Sequence, residues 1–243
     1  MKIVSTYTPI PINESVSPKD FHKDLALAGF DWLDALQMLR SSAQRRAGVE
    51  TFAITNADLP FPHYRYATAE KKLMLWVLEV SLMYLVSDDF DQNTVFIAPD
   101  SLVLKPLDVF GDFDIAVTWR GPKFPWDGEF PSSALMNGLQ WWAVAGKKRL
   151  VALYEQALDI ARALPDAEQD WGADTLPLVR LLGPFEPGLF DRGGLTLRVL
   201  PFGALLTIGE HRRNKKEPAS ALVVDFKFRN KMHMREYYGA HFT

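Results

Sequence analysis

Apolar positions along the chain switch between two periods, and the switches predict the elements. Lys2 to Tyr7 (KIVSTY) is β-rich and runs into a polar, proline-containing segment up to about Asp20, so a first strand ends in a loop. From Phe30 to Arg46 the apolar residues Trp32, Leu33, Leu36 and Leu39 recur at helical spacing, and Thr51 to Thr55 (TFAIT) returns to strand character after Gly48. Ala69 to Leu85 predicts a second helix. The polar turn SDDFDQN follows, and then Thr94 to Ala98, a short apolar run of the kind buried on both faces of a sheet. Alternating strands and helices predict an α/β chain with a largely parallel sheet covered by helices.

The remaining pattern extends the same core. Residues 113–119 (FDIAVTW) are strand-like, and RGPKFPWDGEFPSS is a Pro/Gly-rich loop long enough to be a lid or an acceptor loop. Ala134 to Val144 has sheet character, Lys147 to Leu164 is an amphipathic helix, and a further helix is expected from about Asp170 to Leu182. Two strands, Leu195 to Leu200 and Ala221 to Phe226, bracket the basic loop EHRRNKKEP, and a short polar helix closes the chain. No internal repeat or shift in composition marks a second domain, so 1–243 is expected to fold as one.

Composition narrows the chemistry. The chain of 243 residues is 48% hydrophobic and 23% charged, enough to bury a full core. With no cysteine, thiol nucleophiles and thiolate metal sites are excluded, so a bound metal must take oxygen or histidine ligands, which favours Mg or Mn over zinc. The opening MKIVSTYTPIPI has the pattern of neither a signal peptide nor a membrane anchor, and the apolar stretch Leu73 to Val86, interrupted by Glu79, is too short to span a bilayer. A cytoplasmic location is the expectation. Net charge is −3, but residues 210–236 hold eight Lys or Arg against four Asp or Glu, so that stretch is +4 and the remainder −7. Such a run is either a solvated face or a contact for phosphate, of a nucleotide or of a nucleic acid.

Asp100 stands just past the Thr94 to Ala98 strand, where ligands of open α/β sheets bind, although Pro99-Asp100-Ser101 is also ordinary turn sequence. Asp88, Asp89 and Asp91 lie at a helix end, where turn chemistry explains them. Asp170 and Asp174 open a predicted helix and fit cap and first-turn positions. His63, His211, His233 and His241 show no paired metal-ligand spacing, and there is no GxGxxG, GxxxxGK[ST] or GxSxG motif.

Five fragments occur in an order that resembles glycosyltransferases of the GT-A fold, most of all the glycogenin-like and galactosyltransferase-like retaining enzymes of family 8 type. They are KKLMLW (71–76), FDQNTVFIAPDSLVLKPLDVF (90–110), SALMNGLQWW (133–142), WGADTLPLV (171–179) and VVDFKFRNK (223–231). The resemblance implies a nucleotide-binding half at 1–110 and an acceptor half with the basic segment at 111–243. It matches Lys72 to a helix lysine facing the nucleotide phosphates, and Asp100 to the second Asp of a DxD motif whose first position is Ala98 here. Asn137 and Gly138 match the strand lining the sugar pocket, where a small residue lets backbone approach the ligand. Asp174 matches the Asp of a DQ pair, with Thr175 in place of Gln. Lys231 matches the lysine of a final HFxGxxK motif, in which Asp225 replaces the histidine and Phe228 the glycine. Thr6, Tyr7 and Thr8 fall where the family places the nucleoside; Tyr7 either stacks on a base or packs into the core.

The implied activity is transfer of a sugar from a nucleotide-diphosphate sugar, expected to be a UDP-sugar, to a hydroxyl. The leaving diphosphate needs neutralising by a divalent cation or by Lys and Arg. One expectation is a relocated Mn or Mg site with Asp100 and Asp225 as ligands; the other is a metal-weak site in which Lys72, Lys227 and Lys231 neutralise the charge. Asp174, with Asp170 beside it, is the candidate catalytic carboxylate: it would bind donor hydroxyls, stabilise an oxocarbenium-like transition state or act as base. Trp119, Trp126, Trp141 and Trp142 are candidates for an acceptor groove, though Trp141 and Trp142 must face opposite ways on one strand. The acceptor is expected to be a saccharide or, given the basic loop, a hydroxymethylated base in DNA. A non-catalytic nucleotide-sugar or glycan-binding protein is the alternative from another class.

Overall fold

The computed structural model describes residues 1–8, 30–119, 135–166, 169, 173–201, 203–207, 221–226 and 228–242. In chain order these form β1 (Lys2–Tyr7), α1 (Trp32–Ala47), β2 (Thr51–Thr55), β3 (His63–Arg65), α2 (Leu73–Val86), β4 (Thr94–Ile97), β5 (Ser101–Val103) and β6 (Ile115–Trp119). Then come β7 (Leu135–Trp142), α3 (Lys147–Ala163), α4 (Leu176–Leu182), β8 (Gly188–Arg192), β9 (Leu195–Leu200), β10 (Leu205–Thr207), β11 (Val223–Asp225) and α5 (Met234–Phe242), the last preceded by a 3₁₀ segment, Phe228–His233.

Eight strands make one sheet in the order β3-β2-β1-β4-β7-β6-β9-β8, and three make a small sheet, β10-β11-β5. Strand β1 runs parallel to both β2 and β4, whereas β7 is antiparallel to β4 and β6. The large sheet is mixed and mostly parallel, flanked by helices, as the pattern predicted.

Alternation along the strands divides the core into two layers. Val4, Phe96, Ile115 and Val117 point to the face covered by α2, α3 and α4. Ile3, Val95, Ile97 and Ala116 point to the face covered by α1. Strand β4 is buried at all four positions because it lies between β1 and β7 with both faces covered.

Helix α1 is well specified. Asp31 caps it by accepting from Leu33 N at 2.8 Å, and Gly48 ends it in the left-handed conformation at φ 64°, its N–H donating to Gln44 O. Leu36, Leu39 and Ala43 face the large sheet, while Ala35 and Met38 join a third cluster with Leu102, Val224, Phe226, Met234 and Phe242. Helix α1 is therefore the shared layer between the large sheet and the small one.

Several expectations shift. The helix expected from Asp170 begins at Leu176 because Pro177 suits a first turn and residues 173–175 form a turn ahead of it. Helix α2 starts at Leu73, not Ala69. Trp141 and Trp142 do face opposite ways, and both are fully buried, one in each core layer, so neither lines an acceptor groove. No helix among the described residues is long and apolar enough to cross a membrane.

Candidate active site

The order β2-β1-β4 contains a topological switch point: the chain leaves β1 for a neighbour on one side and reaches β4 on the other. The carboxyl ends of β1 and β4 flank it, and they carry Thr6 to Thr8 and Ala98 to Asp100. Thr6 is buried, Tyr7 is half-buried against the core under α1, and Thr8 Oγ1 donates to Asn56 Oδ1 at 3.2 Å just beyond β2. Burial raises the Tyr7 hydroxyl pKa, and the charge of Asp31 at the cap of α1 adds to the rise. Tyr7 thus contacts core and stands beside the α1 cap.

Across the switch point, Ala98 N donates to Gly138 O at 2.9 Å, so Gly138 on β7 lies beside the position that the resemblance gives to the first DxD carboxylate. Asn137 belongs to the same strand; its side chain lies outside the described residues. Beyond Ala98 the chain turns into β5, which pairs antiparallel with β11 in the register Ser101↔Asp225. Phe226 N donates to Asp100 O at 2.9 Å. Asp100 and Asp225 therefore come together on neighbouring chain segments, exposed by only 4% and 0%.

The partner of Asp100 is an ammonium. Lys231, from the 3₁₀ segment, is in direct contact with the Asp100 carboxylate, and its nitrogen lies 4.6 Å from the centre of the Trp32 ring at the start of α1. Burial pulls the Lys231 pKa down to about 7, while a carboxylate in contact favours the charged form. Trp32 belongs to the site. Its helical spacing in the sequence marked it only as core.

Lys72 is the N-cap residue of α2, on the carboxyl side of the sheet. Its ammonium is held by the Asp166 carboxylate, by Asp166 O at 3.2 Å and by Gln169 Oε1 at 3.0 Å. Gln169 in turn donates to Leu164 O at 2.7 Å just past α3. Lys72 is thereby fastened to the segment that leads to Asp174. Asp174 is partly buried and accepts from Thr175 Oγ1 at 3.2 Å. Beneath it lies Tyr154: burial pushes this hydroxyl far above its ordinary range and the Asp174 charge adds to the effect. Tyr154 OH and Trp142 Nε1 both donate to Gln140 Oε1 at 2.9 Å, a buried polar network under Asp174 that the sequence pattern did not reveal.

The acidic turn has a structural role. Tyr66 OH donates to Asp89 at 2.6 Å, and Asp91 pairs with Lys2 at 2.8 Å. Asp170, Trp126, Lys227 and the basic loop on which a DNA acceptor rested lie outside the described residues. Among the described residues no three His, Cys, Asp or Glu side chains cluster as a metal site would need.

Known structures share this fold over nearly the whole chain. A glycosyltransferase involved in glycosylation of the major capsid of PBCV-1 is 11% identical with a TM-score of 0.58, covering 97% of this chain and 100% of its own. The chain has the GT-A fold of glycosyltransferases. The galactosyltransferase LgtC, solved with donor and acceptor sugar analogues, is 11% identical with a TM-score of 0.53, over 100% of this chain and 97% of its own. The glycosyltransferase GlyE of Streptococcus pneumoniae TIGR4 is 10% identical with a TM-score of 0.56, over 98% of this chain and 59% of its own. No protein-family model and no curated protein matches the chain by sequence. At these identities the likeness is one of fold, and the site residues carry the functional argument.

Proposed function

We propose that the protein is a glycosyltransferase of the glycogenin-like type that takes a nucleotide-diphosphate sugar, a UDP-sugar, and transfers the sugar to a hydroxyl of a saccharide. The supporting observation is the convergence at the β1/β4 switch point of Thr6 to Thr8, Asp100 and Gly138, with Lys231 buried against Asp100. Tyr7 and Thr8 would bound the nucleoside, and Asn137 and Gly138 would admit the sugar along β7. Lys72 and Lys231 would face the phosphates. In the reaction the C1–O bond to the diphosphate breaks and its electron pair leaves with the phosphate oxygen. The acceptor oxygen bonds to C1, and its proton passes to the departing diphosphate oxygen. Asp174 would stand by the sugar ring, stabilising the positive charge that grows there, with Asp170 on the same segment as its neighbour.

The test is a panel of nucleotide sugars, with and without Mn, assayed for slow donor hydrolysis and for transfer to saccharides by mass spectrometry. Turnover of one donor, lost in Asp174→Asn and Asp100→Ala, supports the reading. Binding without turnover in the wild type, for every donor and acceptor, would favour a binding protein; no binding to any nucleotide sugar would overturn both.

A further inference from the structure

A departing diphosphate needs positive charge beside it, from a divalent cation or from fixed ammonium groups. Around Asp100 these two sources exclude each other. The carboxylate that would ligate an ion is already in contact with the Lys231 ammonium, which is 2% exposed against 5% for Asp100. An ion arriving at Asp100 would meet a like charge held from behind by the Trp32 ring. Two residues earlier, where a second carboxylate would be needed, Ala98 offers none, and its backbone N–H is bonded to Gly138. Hard divalent cations collect about six oxygens or more. Asp225, fully buried on β11, adds a single carboxylate to this corner. Among the described residues, those around Asp100 fit an ammonium better than Mn or Mg.

An ammonium has three N–H donors, so a bond to Asp100 does not exhaust it, and a buried charge is little screened by salt.

We infer that Lys231, anchored on Asp100 and backed by Trp32, takes the place of a divalent cation, so that the protein binds the diphosphate of its donor without metal. This rests on the nucleotide-diphosphate donor proposed above. Two measurements test it on the full chain. The first is calorimetric binding of UDP in EDTA and in excess Mn: the two dissociation constants should agree within about twofold. Lys231→Met should weaken binding by about tenfold or more, and Lys231→Arg should recover part of it. The second is the paramagnetic resonance signal of Mn alone. Wild type should leave it unchanged. Should Lys231→Met fail to fold, the neutral pair Asp100→Asn with Lys231→Met substitutes for it in the UDP arm, and the wild-type comparisons need no variant. UDP binding that requires Mn would overturn the inference while leaving the donor reading intact, as would Mn uptake by wild type that Asp100→Asn abolishes. If neither UDP nor any other nucleoside diphosphate binds in either buffer, the donor reading fails and the inference with it.

Discussion

Arg149 grips Asp114 through two parallel hydrogen bonds, Nε to Oδ2 at 2.7 Å and Nη2 to Oδ1 at 2.6 Å. Thr196 N donates to the same carboxylate at 2.8 Å, so one side chain ties the start of β6 to the first turn of α3 and to β9. Burial alone would raise the Asp114 pKa, but the Arg149 and Thr196 bonds and the Arg149 charge hold it below the ordinary value. Its contribution to stability is therefore complete above the unfolded pKa of about 4 and is lost as pH falls through the lower folded value. Asp114→Asn should lower stability most at neutral pH, and the gap from wild type should close as urea melts are repeated below about pH 4.

The same carboxylate makes Gly146 a sensitive position. A Cβ there would lie 2.5 Å from Asp114 Oδ1 and 2.7 Å from Asp114 Cβ, too close for either group to stay in place. Gly146→Ala should cost about 1–3 kcal/mol in denaturant unfolding. Gly239→Ala, where a Cβ meets nothing within 4 Å, is the control and should be near neutral or mildly stabilising.

Lys2 is buried among aromatic rings, its nitrogen 5.0 Å from the centre of Tyr64 and 5.6 Å from that of Tyr84. Burial opposes its charge, yet bonds to Asp91 and Tyr64 raise its pKa above the ordinary value. Lys2→Ala removes the bonds and leaves a hole beside these rings and that of Phe52, a loss of about 3 kcal/mol. In wild type this contribution is fully present below the ordinary lysine pKa of about 10 and fades only as pH rises through the higher folded value. A thermal melt series across alkaline pH checks the direction.

Gln140 is the acceptor for two buried donors, the Trp142 indole and the Tyr154 hydroxyl. Gln140→Leu strands both and should destabilise by about 2–4 kcal/mol. Tyr154→Phe removes one bond without leaving a donor unmet and should cost about 1 kcal/mol. If Tyr154 serves only the core, donor turnover in that variant should match wild type once folding is corrected for.

Asp174→Asn is the substitution that addresses chemistry. For a carboxylate acting at the reacting carbon, kcat should fall by about 10² to 10⁴ with KM for the donor little changed. A change confined to KM would place Asp174 in binding alone.

Much of the architecture was legible because local pattern and local chemistry agreed. Helix α1 announces itself by Leu36 and Leu39 at helical spacing, with Gly48 after it. Strand β4 follows from an unbroken apolar run, and the facing of Trp141 and Trp142 from the two-residue period of a strand. Strands β3, β5 and β10 were not legible. Each has three residues, too few for a period to emerge, and each exists because a distant partner supplies its hydrogen bonds.

The sequence by itself determined the α/β class, the order of the main elements and the position of Asp100 past a central strand. Those properties depend on side-chain periodicity and on turn residues, which are local. Only the tertiary structure decided that Asp100 meets Lys231 and Trp32, that both tryptophans of β7 are sealed in separate core layers, and that a buried Gln140–Tyr154 network underlies Asp174. Such contacts join residues remote in the chain. Their partners are chosen by the packing of α1 and the small sheet against the large one, which no local pattern encodes.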